Sequence, residues 1–153
     1  MGYICLNCMT EYIKENIKYN VYKERNQCPK IDCLGFSLVE IDDMILPVIR
    51  LLNIKGYFTN YCCSGHGYQS QERETYISFD EDFVPKNMVI PKGFELENES
   101  YYIENYSCHK PDNGNICIRK TYSDFISREE YEQELYNTMI QLIKWAIDLP
   151  DNK

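Results

Sequence analysis

The apolar positions change period along this chain, and each change marks an element. Met44, Ile45, Val48, Ile49 and Leu52 recur at helical spacing and make one apolar face. Asp42 or Asp43 can cap that helix, Pro47 is tolerated only near its first turn, and Gly56 ends it after Asn53. Residues 57–62 read as a strand running into a turn dense in small and polar groups, Cys62-Cys63-Ser64-Gly65-His66-Gly67. Residues 75–79 alternate as another strand, and Pro85 and Pro91-Lys92-Gly93 punctuate a loop-rich connection. Residues 94–96, 101–106 and 116–122 are strand-like, the last two joined across the turn Pro111-Asp112-Asn113-Gly114. A helical period then returns. Ser127-Arg128-Glu129-Glu130 is a capping box, and Tyr131, Leu135, Met139, Leu142, Ala146 and Leu149 form a stripe to be buried. Helix, several strands and helix predict an α+β domain: a mainly antiparallel sheet packed with two helices.

The first 39 residues follow another logic. Tyr3-Ile4-Cys5 and Phe36-Ser37-Leu38-Val39 are short strands flanking two cysteine pairs, Cys5-x2-Cys8 and Cys28-x4-Cys33. Residues 11–27 between them are rich in Tyr, Lys and Asn and too polar to fold around a core of their own. A metal must supply much of the stability. Four thiolates meet the tetrahedral preference of Zn2+, and a tight turn inside each pair aims both sulfurs at one ion. Gly35 stands where the second pair turns back. The expected organisation is an N-terminal zinc ribbon over residues 1–39 and an α+β ligand-binding domain over residues 40–153, with almost no linker between them.

Charge and cysteine usage narrow the setting. The 153 residues carry a formal net charge of -8, which argues against a general nucleic-acid binder because such a protein needs a basic face. Residues 1–38 hold five Lys/Arg against four Asp/Glu, a net of +1, so the remainder carries -9. The N-terminus shows no basic region followed by an apolar run, and no apolar stretch is long enough to span a membrane. A cytoplasmic location is expected. Thiols there stay reduced, so the paired cysteines among the eight read as metal ligands before they read as disulfides.

The 62–67 turn is poor material for a core and good material for an anion site. Gly65 and Gly67 can take positive φ and let the backbone approach a phosphate or carboxylate. Ser64 can donate a hydrogen bond, His66 can donate or accept near neutral pH, and Tyr61 and Tyr68 offer faces for a base. Arg73, Lys110, Arg119 or Lys120 can supply positive charge. The plainer reading is a tight turn with His66 bonded to backbone. Cysteine catalysis would use Cys62 or Cys63 with His66 or His109 as base, but adjacent cysteines in a strand point to opposite faces. A second metal site would draw on Cys62 or Cys63, His66, Cys108, His109 and Cys117. No Walker loop, dinucleotide fingerprint or paired metalloprotease histidines occur. No catalytic residue is therefore assigned.

In the order helix, Asn53, Gly56-Tyr57, Thr59, Cys63-Ser64-Gly65, the segment resembles the tRNA wybutosine-synthesis methyltransferase family. The family signature Thr-Thr-Ser-Ser-Cys-Ser-Gly-Arg reads here Thr59-Asn60-Tyr61-Cys62-Cys63-Ser64-Gly65-His66. It is also similar to uncharacterised bacterial and phage proteins with a Cys-Ser-Gly-His segment. The likeness spans residues 42–80 and implies an α+β scaffold with this loop facing a ligand. The expected ligand site is Thr59, Asn60, Cys63, Ser64, Gly65, His66, Gly67, Tyr68 and Arg73, holding a small anionic, nucleotide-like molecule. In the phage setting that the likeness permits, the protein would sequester a nucleotide immune signal. The rival is an enzyme modifying tRNA or a nucleotide with S-adenosylmethionine. A third reading is an adaptor whose ribbon contacts another protein. Without an evident acid–base pair, binding is favoured over turnover.

Overall fold

Two antiparallel sheets and two helices share the main core. The computed structural model describes residues 2–5, 7–20, 25–33, 35, 38–65, 67–69, 73–99, 102–104, 107–109, 115–123 and 126–152. Strand β1 (Gly2–Cys5) lies between β2 (Glu11–Tyr12) and β5 (Leu38–Ile41), with Cys5 opposite Leu38 and Gly2 opposite Ile41. Strands β3 (Lys18–Asn20) and β4 (Arg25–Gln27) form a hairpin of their own. Ile4 and Ile41 belong to the same core as α1, the larger sheet and α2, so the cysteine-bearing module is fused to the rest through β1 and β5.

Helix α1 covers Leu46–Ile54. Neither Asp42 nor Asp43 caps it, because Ile45 occupies the N-cap in a helical conformation with no side-chain bond. The main-chain carbonyl of Asp42 instead accepts from Ile45 N and Leu46 N, at 3.2 and 3.1 Å. Pro47 sits in the first turn, where its missing N–H leaves no gap. Met44 falls ahead of the helix and is exposed, while Ile45, Val48, Ile49 and Leu52 face inward. Gly56 follows at φ 91°, ending the helix as its position foretold.

The larger sheet has the order β6-β7-β11-β8, antiparallel throughout: β6 (Thr59–Cys63), β7 (Glu74–Asp80), β8 (Glu95–Glu99) and β11 (Asn115–Thr121). Thus β11 pairs with β7 and β8. The expected hairpin between 101–106 and 116–122 does not form, because β9 (Tyr102–Glu104) takes its nearer partner, β10 (Ser107–His109). Residues 111–114 and Lys110 lie outside the described residues. The C-terminal helix α2 covers Arg128–Asp148 and carries the complete capping box of Ser127 and Glu130. Its expected stripe is buried, with Trp145 and Thr138 added. No basic residue stands in the last turn of α2. Lys55, just past α1, supplies the cation: its Nζ donates to Ile147 O and Leu149 O, each at 2.5 Å.

Candidate functional site

The four paired cysteines converge. Cys5 Sγ lies 3.6 Å from Cys33 Sγ and Cys8 Sγ 3.7 Å from Cys28 Sγ, and all four sulfurs lie within 4.8 Å of one another. A tetrahedron of thiolates around one ion with metal–sulfur bonds of ~2.3 Å has edges of about 3.8 Å. Disulfide sulfurs would stand at about 2 Å. The arrangement fits a single four-coordinate ion and no disulfide.

Local backbone makes this cage. Met9 N donates to Cys5 O at 2.7 Å and Cys5 N to Thr10 O at 3.0 Å, closing the first turn, and Met9 takes the left-handed conformation at φ 54°. In the second, Cys33 N donates to Lys30 O and Cys28 N to Gly35 O. Gly35 lets that turn pack against Asn7, whose exposed side chain would have to move for any larger residue. A Cβ would come within 2.7 Å of the Asn7 side chain. The thiols are not equivalent. Burial pushes Cys5 up to about 12 and raises Cys33. Burial acts the same way on Cys8, but hydrogen bonds with Thr10, Cys33 and Cys28 together outweigh it and lower that thiol. The Tyr12 hydroxyl lies 3.2 Å from Cys28 Sγ and fixes the outer side of the cage.

The turn after β6 is built from residues that point both ways. Thr59 is buried: its N–H donates to Asn53 Oδ1, and its hydroxyl accepts from Asn53 Nδ2 at 2.8 Å. That pair ties α1 to β6. Ser64 is also buried, its hydroxyl donating to Asp42 Oδ2 at 3.0 Å, while Ser64 O accepts from the Thr75 hydroxyl. Because Thr75 gives its one proton to Ser64, Tyr122 OH must donate to Thr75 Oγ1 across their 2.7 Å separation. Gly65 has φ 117°, and its N–H meets Cys63 Sγ at 3.4 Å. The outward groups are Asn60 and Gly67, both exposed, with Tyr68 and Arg73 half-buried. His66 lies outside the described residues.

One expected cation does reach this place. The Arg73 guanidinium lies 4.3 Å from the Tyr68 ring centre and 5.5 Å from that of Tyr131. The Tyr131 hydroxyl is 3.4 Å from where a Gly65 Cβ would stand. Arg119 is instead held by Glu74 and Glu97, and Lys120 by Thr138 and Glu134. Cys62 is half-buried, and burial, aided by Asp42, pushes its thiol up to about 12. At neutral pH it is protonated and a weak nucleophile. Among the described residues the Cys5, Cys8, Cys28 and Cys33 cluster is the one group able to hold a metal. Sequence reasoning missed Asp42, Thr75, Tyr122 and Tyr131 as supports of the turn. Asp42 looked like a helix cap, and the others looked like ordinary strand and stripe positions.

The chain is thus an α+β protein with a four-cysteine metal-binding geometry at its N-terminus. No protein family, curated protein or solved structure matches it. Among the described residues no helix is long and apolar enough to cross a membrane.

Proposed function

We propose that this is a zinc-stabilised binding protein. Its turn at residues 63–67, with Tyr68 and Arg73, takes a small anionic, nucleotide-like ligand and holds it without turnover. Zinc is the ion of choice for the N-terminal cage because all four ligands are thiolates, which disfavours Mg2+ and Ca2+, and because the sulfur edges suit one tetrahedral centre. For the ligand, the observation that carries the reading is Arg73 stacked on two tyrosines beside the Gly65 turn, in a chain of net charge -8. A guanidinium held on ring faces is oriented before the ligand arrives, which lowers the ordering cost of pairing with a phosphate. Ser64 and Thr59 serve the same end from inside by fixing the strand and the turn.

Calorimetry of the zinc-loaded protein against cyclic and linear nucleotides tests this reading. A hydrogen bond to a charged group is worth about 1.5–3 kcal/mol, so Arg73→Gln should weaken binding by roughly ten- to a hundredfold. Absence of binding across the panel, or equal affinity in Arg73→Gln, refutes it.

A further inference from the structure

A second recess opens toward the C-terminal end of α2, its Trp145 about 15 Å along the helix from Leu135, the side chain nearest a Cβ at Gly65. The segment 89–92 crosses the last turns of α2 and is pinned there at two points. Trp145 Nε1 donates to Val89 O and Gln141 Nε2 to Lys92 O, both at 2.6 Å. Between segment and helix lies a cavity of about 420 Å³ with Trp145, Leu149 and Pro91 among its walls. Val89, at its lip, is 71% exposed, an apolar side chain left in water beside an apolar hollow.

The charges around it are specific. Lys92 and Lys144 line the cavity against one carboxylate, Asp148, a local excess of positive charge in an acidic chain. The carbonyls at the end of α2, which would otherwise repel an anion, are capped by Lys55. We propose that this cavity binds a small carboxylate with an apolar body, the body against Trp145 and the acid group toward Lys92 and Lys144. Its volume lies within the range of roughly 300–1,000 Å³ usual for small-molecule sites, which are largely apolar with a few polar groups to set orientation. A neutral molecule would leave both ammonium groups unused, and an amine would meet them head-on.

The chain reports on this itself, because Trp145 is its one tryptophan. The zinc-loaded protein is titrated with 3-phenylpropionate and with phenethylamine, following tryptophan emission under excitation that leaves tyrosine dark. The acid should give a saturable change and bind roughly tenfold more tightly than the amine, since each exposed ion pair contributes modestly. The preference should vanish in Lys92→Ala/Lys144→Ala, whose altered side chains are exposed, and survive in Arg73→Gln. That last arm separates this site from the turn near Gly65. Equal affinity for acid and amine, no emission change with either, or an undiminished preference in the double variant overturns the proposal.

Discussion

Replacing Cys28 with Ser removes one corner of the thiolate cage, and the local structure fixes how far the damage should travel. The cluster around the cage contains four buried residues, Tyr3, Cys5, Cys28 and Leu38, and two of them are cysteines placed to hold a metal. Burying Tyr3 and Leu38 contributes roughly 3–6 kcal/mol at about 1.5–3 kcal/mol per large apolar side chain. Structural zinc in small finger peptides contributes about 10–16 kcal/mol at neutral pH. A zinc ion held there would therefore dominate the order of this module, and β2 with the β3–β4 hairpin should lose protection when it goes. Strands β1 and β5 should not follow completely, because Ile4 and Ile41 are anchored in the main core. The expected outcome is partial unfolding with the four-stranded sheet and both helices retained.

Elemental analysis should find one zinc per chain in protein purified without chelator, and none in Cys28→Ser. Amide exchange should then accelerate in β2, β3 and β4 while α2 stays protected. Cys117→Ser is the matched control. Cys117 is fully buried on β11, outside the cage, so this variant should be less stable yet keep its metal. Acidification should also release the ion, since the ligands must be thiolates. Absence of zinc from the wild-type chain, metal loss in Cys117→Ser, or unchanged exchange in β2 to β4 after metal removal would refute the reasoning.

Lys55→Met keeps the aliphatic stem but removes the cation from the last carbonyls of α2, and should cost about 1–2 kcal/mol. Urea unfolding of zinc-loaded protein checks this as a lower midpoint at unchanged slope, and a loss under about 0.5 kcal/mol would show the cap to be idle. Gly65→Ala combines φ 117° with a Cβ 2.6 Å from Leu135 Cδ2, and should destabilise by roughly 1–3 kcal/mol. Thermal unfolding indistinguishable from wild type would mean that the turn is looser than its geometry implies.

What could be read from sequence was local. The α2 stripe and its capping box depend on residues three and four apart, and both appear where the period placed them. The cysteine cage was legible because each pair is a short turn with fixed chemistry. Pairings across the chain were not legible in the same way. The residues at 111–114 suggest a hairpin, yet β11 is claimed by β7 and β8, where Ile118 meets Ile77 and Leu96. Pairing with the fully buried Ile77 on one side and with the half-exposed Leu96 on the other outweighs a favourable turn, and no short window of sequence contains all three. Asp42 illustrates the same limit at the site. An acid before an apolar helix reads as a cap, and only the fold brings Ser64 close enough to claim its carboxylate.

That reassignment of Asp42 joins the two halves of the molecule. Cys5, a corner of the cage, ends β1 and lies opposite Leu38 at the start of β5. Strand β5 ends at Ile41, and the next residue, Asp42, holds both the hydroxyl and the N–H of Ser64 through Oδ2, at 3.0 and 3.4 Å. From there the Thr75–Tyr122 pair carries the contact into β7 and the residue following β11. The turn before Gly65 is thus gripped from one side by the strand that leaves the metal module and from the other by the sheet. A free loop tip would leave its backbone to water, whereas here a part-buried carboxylate contact and a buried hydroxyl pair fix its direction. On the proposed reading, that grip sets the outer face, with Gly67, Tyr68 and Arg73, in place before the ligand arrives.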